Sequence, residues 1–224
     1  MYCLSLETST KSFSLALSKD GKLLRTRTIA ATKILEKSII PSIDKLLNLA
    51  KVDLQAIDVL AIGLGPGSFT SLRVGLATVK ALAHVKGMRV IGVSSLAIIA
   101  QGVLTEANKT VAVLVDARRG QVYQALFLAD GKLLAKEVLL PFEEAMKNIK
   151  GNTLVVGDAI NLYGQRIKDA CPDVTFAPQE HWLPQAKYLA QLAHARIASN
   201  QFDEAITLLP NYLYADDCQA EAKK

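Results

Sequence analysis

The pentapeptide Asp-Gly-Lys-Leu-Leu stands at Asp20–Leu24 and returns unchanged at Asp130–Leu134. Alone it would decide little, but each copy sits at the same place in a longer series. In the first half "YCLSLE", "FSLALS" and "LLRTRTI" read as strands joined by the tight turns "TSTKS" and "KDGK". Asp-Gly suits such a turn because glycine takes a positive φ without a Cβ clash. A helical segment follows, "ILEKSIIPSIDKLLNLAK", then the strand "DVLAIGL" and a helix over residues 70–85. In the second half "TVAVLVDARRGQVYQALFLADGKLLAKEVLL" is again strand, turn, strand, turn, strand. A helical "FEEAMKNI", the strand "TLVVG" and a helix over residues 162–169 keep the order. A βββαβα series written twice marks a duplicated unit and constrains the fold more than composition does. The expectation is an α/β chain of two tandem βββαβα lobes, residues 1–104 and 105–224, with mixed sheets flanked by helices. A last helix is expected over residues 184–200, followed by a mobile polar end, 215–224.

Composition removes several classes. Half of the 224 residues are hydrophobic, which suits a globular chain with a substantial core. The longest candidate for a membrane span, residues 90–104, is too short and carries two serines and a glutamine. "MYCLSLETST" alternates like a strand rather than opening a signal peptide, so a cytoplasmic protein is expected. Three widely spaced cysteines without a CxxC pair point to reduced thiols. The net charge of +5 is scattered, with no basic run among aromatic residues, which argues against an RNA-binding module acting alone.

"GLGPGSFTSLRVG", Gly63–Gly75, breaks a strand into a glycine turn and opens a helix. Two readings compete. Backbone N–H groups of Gly65, Gly67 and Ser68 at a helix start could hold an anion. The GxxxxGK[ST] loop, however, needs a lysine where Phe69 stands. The other reading is a helix-launching turn, with Pro66 fixing it, Gly67 at positive φ and Ser68 or Thr70 as N-cap. No G-x-S-x-G elbow occurs. His84, His181 and His194 lack the three- or four-residue spacing that aims two imidazoles at one ion, so no metal site is expected.

Two such lobes in tandem resemble actin, the sugar kinases and the heat-shock ATPases. In those ATPases, nucleotide lies between the lobes and turns of the first hairpins hold phosphate. Here those turns are Glu7–Thr10 and Asp116–Gly120, which makes Glu7 and Asp116 the candidate nucleotide-binding carboxylates. Within the superfamily, "LSLETST", "GPGSFTSLRVG", "VSSL", "DARRGQVYQALF" and "PNYL" run in order from Leu4 to Leu213. They resemble the TsaB (YeaZ) family of bacterial tRNA threonylcarbamoyladenosine biosynthesis proteins. The family usually has aspartate at Glu7, glycine at Ser71, a histidine in the first helix and arginine at Tyr214.

The resemblance implies a non-catalytic subunit that binds the paralogue TsaD through helices of its first lobe. TsaD carries the transfer of a threonylcarbamoyl group to the adenosine next to the anticodon of ANN-decoding tRNAs, and TsaE, an ATPase, completes the complex. It implies a homodimer when the chain is alone, tRNA reached only through the complex, no membrane, and no cofactor of its own, ATP or ADP entering only in the complex. On the two helices the expected interface is Leu35, Ile39, Ile43, Leu46, Ser71, Leu72, Gly75, Leu76 and Val79. Small residues such as Gly75 and Ala77 would let another helix approach. The alternative is an active ATPase or small-molecule kinase using Glu7 and Asp116 with a nucleotide between the lobes.

Overall fold

The computed structural model describes residues 1–10, 12–30, 35–104 and 109–213, and two five-stranded sheets carry them. The first sheet contains β1 (Tyr2–Glu7), β2 (Ser12–Lys19), β3 (Lys22–Ala30), β4 (Ile57–Gly63) and β5 (Arg89–Val93), in the order β3-β2-β1-β4-β5. The second contains β6 (Thr110–Arg118), β7 (Gln121–Phe127), β8 (Leu133–Pro141), β9 (Thr153–Val156) and β10 (Thr175–Phe176), in the order β8-β7-β6-β9-β10. Adding five to every label of the first sheet gives the second. In both, the hairpin strands pair antiparallel and the strand after the crossover helix pairs parallel with the first. The expected duplication is therefore present in topology, with one strand more per sheet than the repeat suggested. The apolar run 90–104 supplies most of β5 and a helix, and β10 has two residues.

Helices α1 (Leu35–Ala50), α2 (Phe69–Lys86), α3 (Ser95–Gln101), α4 (Phe142–Lys147), α5 (Ile160–Ala170) and α6 (Ala186–Ala198) connect and cover the strands. No helix among the described residues is long and apolar enough to cross a membrane. β1 shows how the first core is arranged. Strand alternation sends Leu4 and Leu6 to the face covered by α1 and α2, and Cys3 to the opposite face with Val59, Ile91 and the α6 residues Leu189 and Ala193. The strand is buried on both sides, its polar residues Ser5 and Glu7 included. α1 places Leu35, Ile39, Ile43, Leu46 and Leu47 on the first face. Each such aliphatic side chain contributes about 1.5–3 kcal/mol when taken from water. Pro41 lies inside α1, beyond its first turn, and on the exposed side.

The two identical pentapeptides form different turns. Asp20 and Gly21 both have positive φ (49° and 79°) between the paired residues Lys19 and Lys22, a two-residue hairpin loop. In the second copy Gly131 alone takes positive φ (85°), the loop closes between Leu128 N and Lys132 O at 2.8 Å, and Asp130 accepts from Lys132 N. The first aspartate is instead engaged from outside its hairpin, by the amino group of Met1. Partners beyond the five residues select the turn.

The packing divides the chain differently from a cut at residue 104. One compact unit is Met1–Ile98 with Pro184–Asn211, and the other takes Ile99–Leu183 and the described residues after 211. α6 lies on β1 and β2, where Ala186 N donates to Ser14 Oγ at 2.8 Å. The segment after it is fixed to β5 by Asp203, which accepts from Gly92 N at 2.7 Å and forms a bidentate pair with Arg196 at 3.0 Å. A short, mostly local pattern gave no sign that the last helix completes the first unit.

Candidate functional site

Glu7 ends β1, and its side chain turns inward. It is 1% exposed, and its carboxylate accepts from Ser9 N at 2.7 Å and from Ser95 Oγ at 3.0 Å. Ser95 Oγ in turn accepts from Gly65 N at 3.1 Å, while Ser95 N donates to Gly65 O at 2.8 Å. One carboxylate thus ties the end of β1, the glycine turn after β4 and the start of α3 together. The fit leaves no room for a side chain at Gly63, where a Cβ would stand 1.9 Å from Glu7 Oε2. Burial pushes the Glu7 carboxyl above its ordinary range, against the hydrogen bonds from Ser9 and Ser95 that pull it down. Ser95 belongs to the "VSSL" stretch.

The glycine turn is committed to the neighbouring hairpin. Ser68 N donates to Ser9 O at 2.7 Å, and a Cβ at Gly67 would meet that same oxygen at 2.2 Å. The positive φ falls on Gly65 (90°) rather than on Gly67, and the Gly65–Pro66 peptide is cis. Ser68 does occupy the N-cap of α2, but its hydroxyl bonds Ser71 Oγ at 3.0 Å instead of a backbone N–H. Further along, Gly75 presses on Thr8, its absent Cβ being 2.3 Å from Thr8 Oγ1. These groups do not fit a phosphate. Gly65 N and Ser68 N, which would face it, already donate to Ser95 Oγ and Ser9 O, and Glu7 is buried.

The second unit repeats the tie with other atoms. Asp116 N, near the end of β6, donates at 2.9 Å to Asp158 Oδ1 in the turn after β9. The Asp116 side chain accepts from Arg118 N at 2.9 Å and pairs with the Arg118 guanidinium at 3.2 Å. Burial, with the neighbouring Asp116 charge, raises the Asp158 carboxyl above its usual range. Asp116 therefore caps its own turn, and Asp158, its partner, was not among the residues expected. Among the described residues no three His, Cys, Asp or Glu side chains converge as metal donors.

The expected interface residues are placed mostly in the core. Leu35, Ile39, Ile43 and Leu46 of α1 are at most 9% exposed, and Leu72, Gly75, Leu76 and Val79 of α2 are buried with them. Half-buried Ser71 is the exception. A contact surface cannot be made of side chains that already form the sheet-facing core, so this set is corrected. The surface those helices leave is the neighbouring stripe, Ala77, Ala81 and Val85 of α2 with Ile40 of α1. It lines a groove of about 430 Å³, and Val85 is 75% exposed. Both sides of α2 are apolar, so periodicity could not distinguish inner from outer. Tyr214 and residues 215–224 lie outside the described residues.

The model of the family described as TsaD, tRNA N6-adenosine threonylcarbamoyltransferase, matches residues 29–222. The TsaB protein of Haemophilus influenzae is 30% identical over 94% of this chain and 92% of its own length. That of Escherichia coli K12 is 32% identical over 70% of this chain and 71% of its own. The solved YeaZ of Pseudomonas aeruginosa has a TM-score of 0.78 at 30% identity, covering 95% of this chain and 99% of that one. The ADPNP-bound activator of 2-hydroxyisocaproyl-CoA dehydratase from Clostridium difficile, at TM-score 0.54 and 12% identity over 89% and 97%, shares the actin-like ATPase fold alone. Agreement with TsaB proteins over most of both lengths, on a chain that the TsaD model also matches, makes this chain a member of the TsaB (YeaZ) family.

Proposed function

We propose that the chain serves tRNA threonylcarbamoyladenosine biosynthesis as the non-catalytic partner of a TsaD-type threonylcarbamoyltransferase. Transfer to the adenosine next to the anticodon of ANN-decoding tRNAs takes place on the partner, in the cytoplasm, with TsaE joining the larger assembly. The observation that carries this reading is the inward commitment of Glu7, Ser95 and the glycine turn. A turn that would hold phosphate in an ATPase of this fold is here a structural joint. ATP or ADP accordingly enters only in the assembled complex. The family names of its relatives support the pathway.

The docking surface in this reading is the exposed stripe of α1 and α2, not their buried faces. Alanines at positions 77 and 81 let another helix come close, and Ile40 and Val85 supply apolar contact. Alone, the chain pairs with itself through the same stripe. Mixing purified chain with TsaD at micromolar concentration should give one shifted peak on size-exclusion chromatography, and two unshifted peaks would sink the proposal. Val85→Glu should weaken the complex about 100-fold by burying a charge in the contact. The same change should move the melting free energy by no more than about 0.5 kcal/mol, since the site is exposed. Titration of the isolated chain with Mg-ATP should give no heat of tight binding. Tight binding abolished in Glu7→Ala would instead make it an ATPase.

A further inference from the structure

The duplication measures its own departures. In the first unit α1 has 16 residues and packs on β2 and β3, whereas its counterpart α4 has six and packs on β7 and β8. The second sheet therefore lacks ten residues of covering helix, about 15 Å at 1.5 Å per residue. The strands beneath kept their apolar side. Val122 pairs with Leu140, Gln124 with Val138 and Leu126 with Ala135, and opposed residues of an antiparallel pair share a face. Val122, Leu126 and Leu140 belong to the core that α4 begins to cover. Beside the end of α4 this face opens into a groove of about 580 Å³ with Leu126, Ala135, Val138 and Leu140 in its wall. Leu126, Val138 and Leu140 stay half-buried, and Leu134 at the rim is 52% exposed.

Charge and hydrogen bonding narrow the occupant. Lys136, Lys147 and Lys150 border the groove, and no acidic residue lines it among the described residues. Lys147 pairs with Glu144 at 2.7 Å, so Lys136 and Lys150 carry the excess positive charge. Gln124 is already spent, with Nε2 donating to Ala145 O and Oε1 accepting from Asn148 Nδ2. Among the described residues no aromatic ring lines the groove to stack on a base. Apolar walls, a consumed amide and a basic rim suit aliphatic side chains flanked by carboxylates better than nucleotides.

We infer that the groove is a docking site for an acidic amphipathic helix of a partner protein, which lays onto the second sheet the turns that α4 lacks. Its apolar residues at i, i+3, i+4 and i+7 rest on Leu126, Val138 and Leu140, and its Asp or Glu side chains meet Lys136 and Lys150. The inference is independent of the proposed pathway, since it rests on the second unit alone.

The test uses the full chain and a fluorescein-labelled synthetic helix of about 14 residues, with leucines at that spacing and glutamates on both flanks. Fluorescence anisotropy should show saturable binding that weakens with salt. Val138→Glu, and separately the pair Lys136→Glu and Lys150→Glu, should each weaken it about tenfold. Lys22→Glu, at an exposed site in the other unit, should leave it unchanged. Circular dichroism melts verify folding, with Lys136→Gln and Lys150→Gln in reserve. No binding up to about 100 μM, equal binding of a lysine-flanked peptide, or indifference to Val138→Glu overturns the inference. So does loss of RNA affinity in the lysine pair with no peptide binding, which would make the groove a nucleic-acid surface.

Discussion

Gly157→Ala is expected to cost more than about 4 kcal/mol and to leave the second unit unfolded or insoluble. Gly157 has φ of 122°, and a Cβ there would stand 2.0 Å from Leu114 O and 2.7 Å from Leu114 C. Leu114 lies in the central strand of the second sheet and is fully buried, so the obstacle is backbone that cannot swing aside. Ala159 N also donates to that oxygen, at 3.2 Å, and would be carried with it. Gly87→Ala is the matched control. It also needs a left-handed backbone (64°), but nothing lies within 4 Å of its missing Cβ, so only the backbone penalty of about 1 kcal/mol applies. Urea unfolding of the two variants should differ by several kcal/mol. Equal midpoints would show that the turn after β9 can relax.

The second large effect lies at Glu7. Glu7→Ala should cost about 3–5 kcal/mol, because it opens a cavity and strands the Ser9 N–H and the Ser95 hydroxyl in the interior. Glu7→Gln keeps volume and one acceptor and should cost about 1–2 kcal/mol through the single bond its amide cannot accept. The pH dependence separates carboxyl chemistry from packing. Below the ordinary value of 4.5 both folded and unfolded chains hold the proton, and Glu7 contributes no slope. Its folded pKa is raised, so above 4.5 the folded chain binds more protons than the unfolded one. Stability from this group therefore falls as pH rises towards the folded pKa and levels off beyond it. Thermal melts across that window should show Glu7→Gln without this fall. A parallel decline in both proteins would assign it elsewhere. Glu7→Asp withdraws the carboxyl by one methylene from Gly63, so it should lessen the penalty of Gly63→Ala, a coupling readable in a double-mutant cycle.

The fold was legible because it was written twice and because strand alternation and the Asp-Gly turns are local signals. What stayed hidden depended on distance in sequence. Ser95 reaches Glu7 across 88 positions, and nothing in "VSSL" says which buried group it serves. The joining of α6 to the first sheet spans a still longer interval, 172 positions at the Ser14–Ala186 bond. The resemblance implies an interface at Leu72, Leu76 and Val79, on a helix apolar on two sides, and only the packing shows that they line the core. The carboxylates at the ends of β1 and β6 were found by their place in the repeat. What each holds in the structure, Glu7 joining three segments and Asp116 capping its own turn, follows from hydrogen bonds that no spacing encodes.

The return of α6 to the first sheet has a consequence for synthesis. Domains commonly fold in the order in which they leave the ribosome. Here the first unit cannot be completed until residues 184–211 have emerged, after the whole intervening unit. Until then one side of β1, β4 and β5 lacks its partners Leu189 and Ala193, leaving Cys3, Val59 and Ile91 uncovered on that side. Residues 99–183, the main part of the second unit, have thus all emerged before the first unit can close. A nascent chain halted before α6 carries an open apolar sheet that a chaperone would recognise.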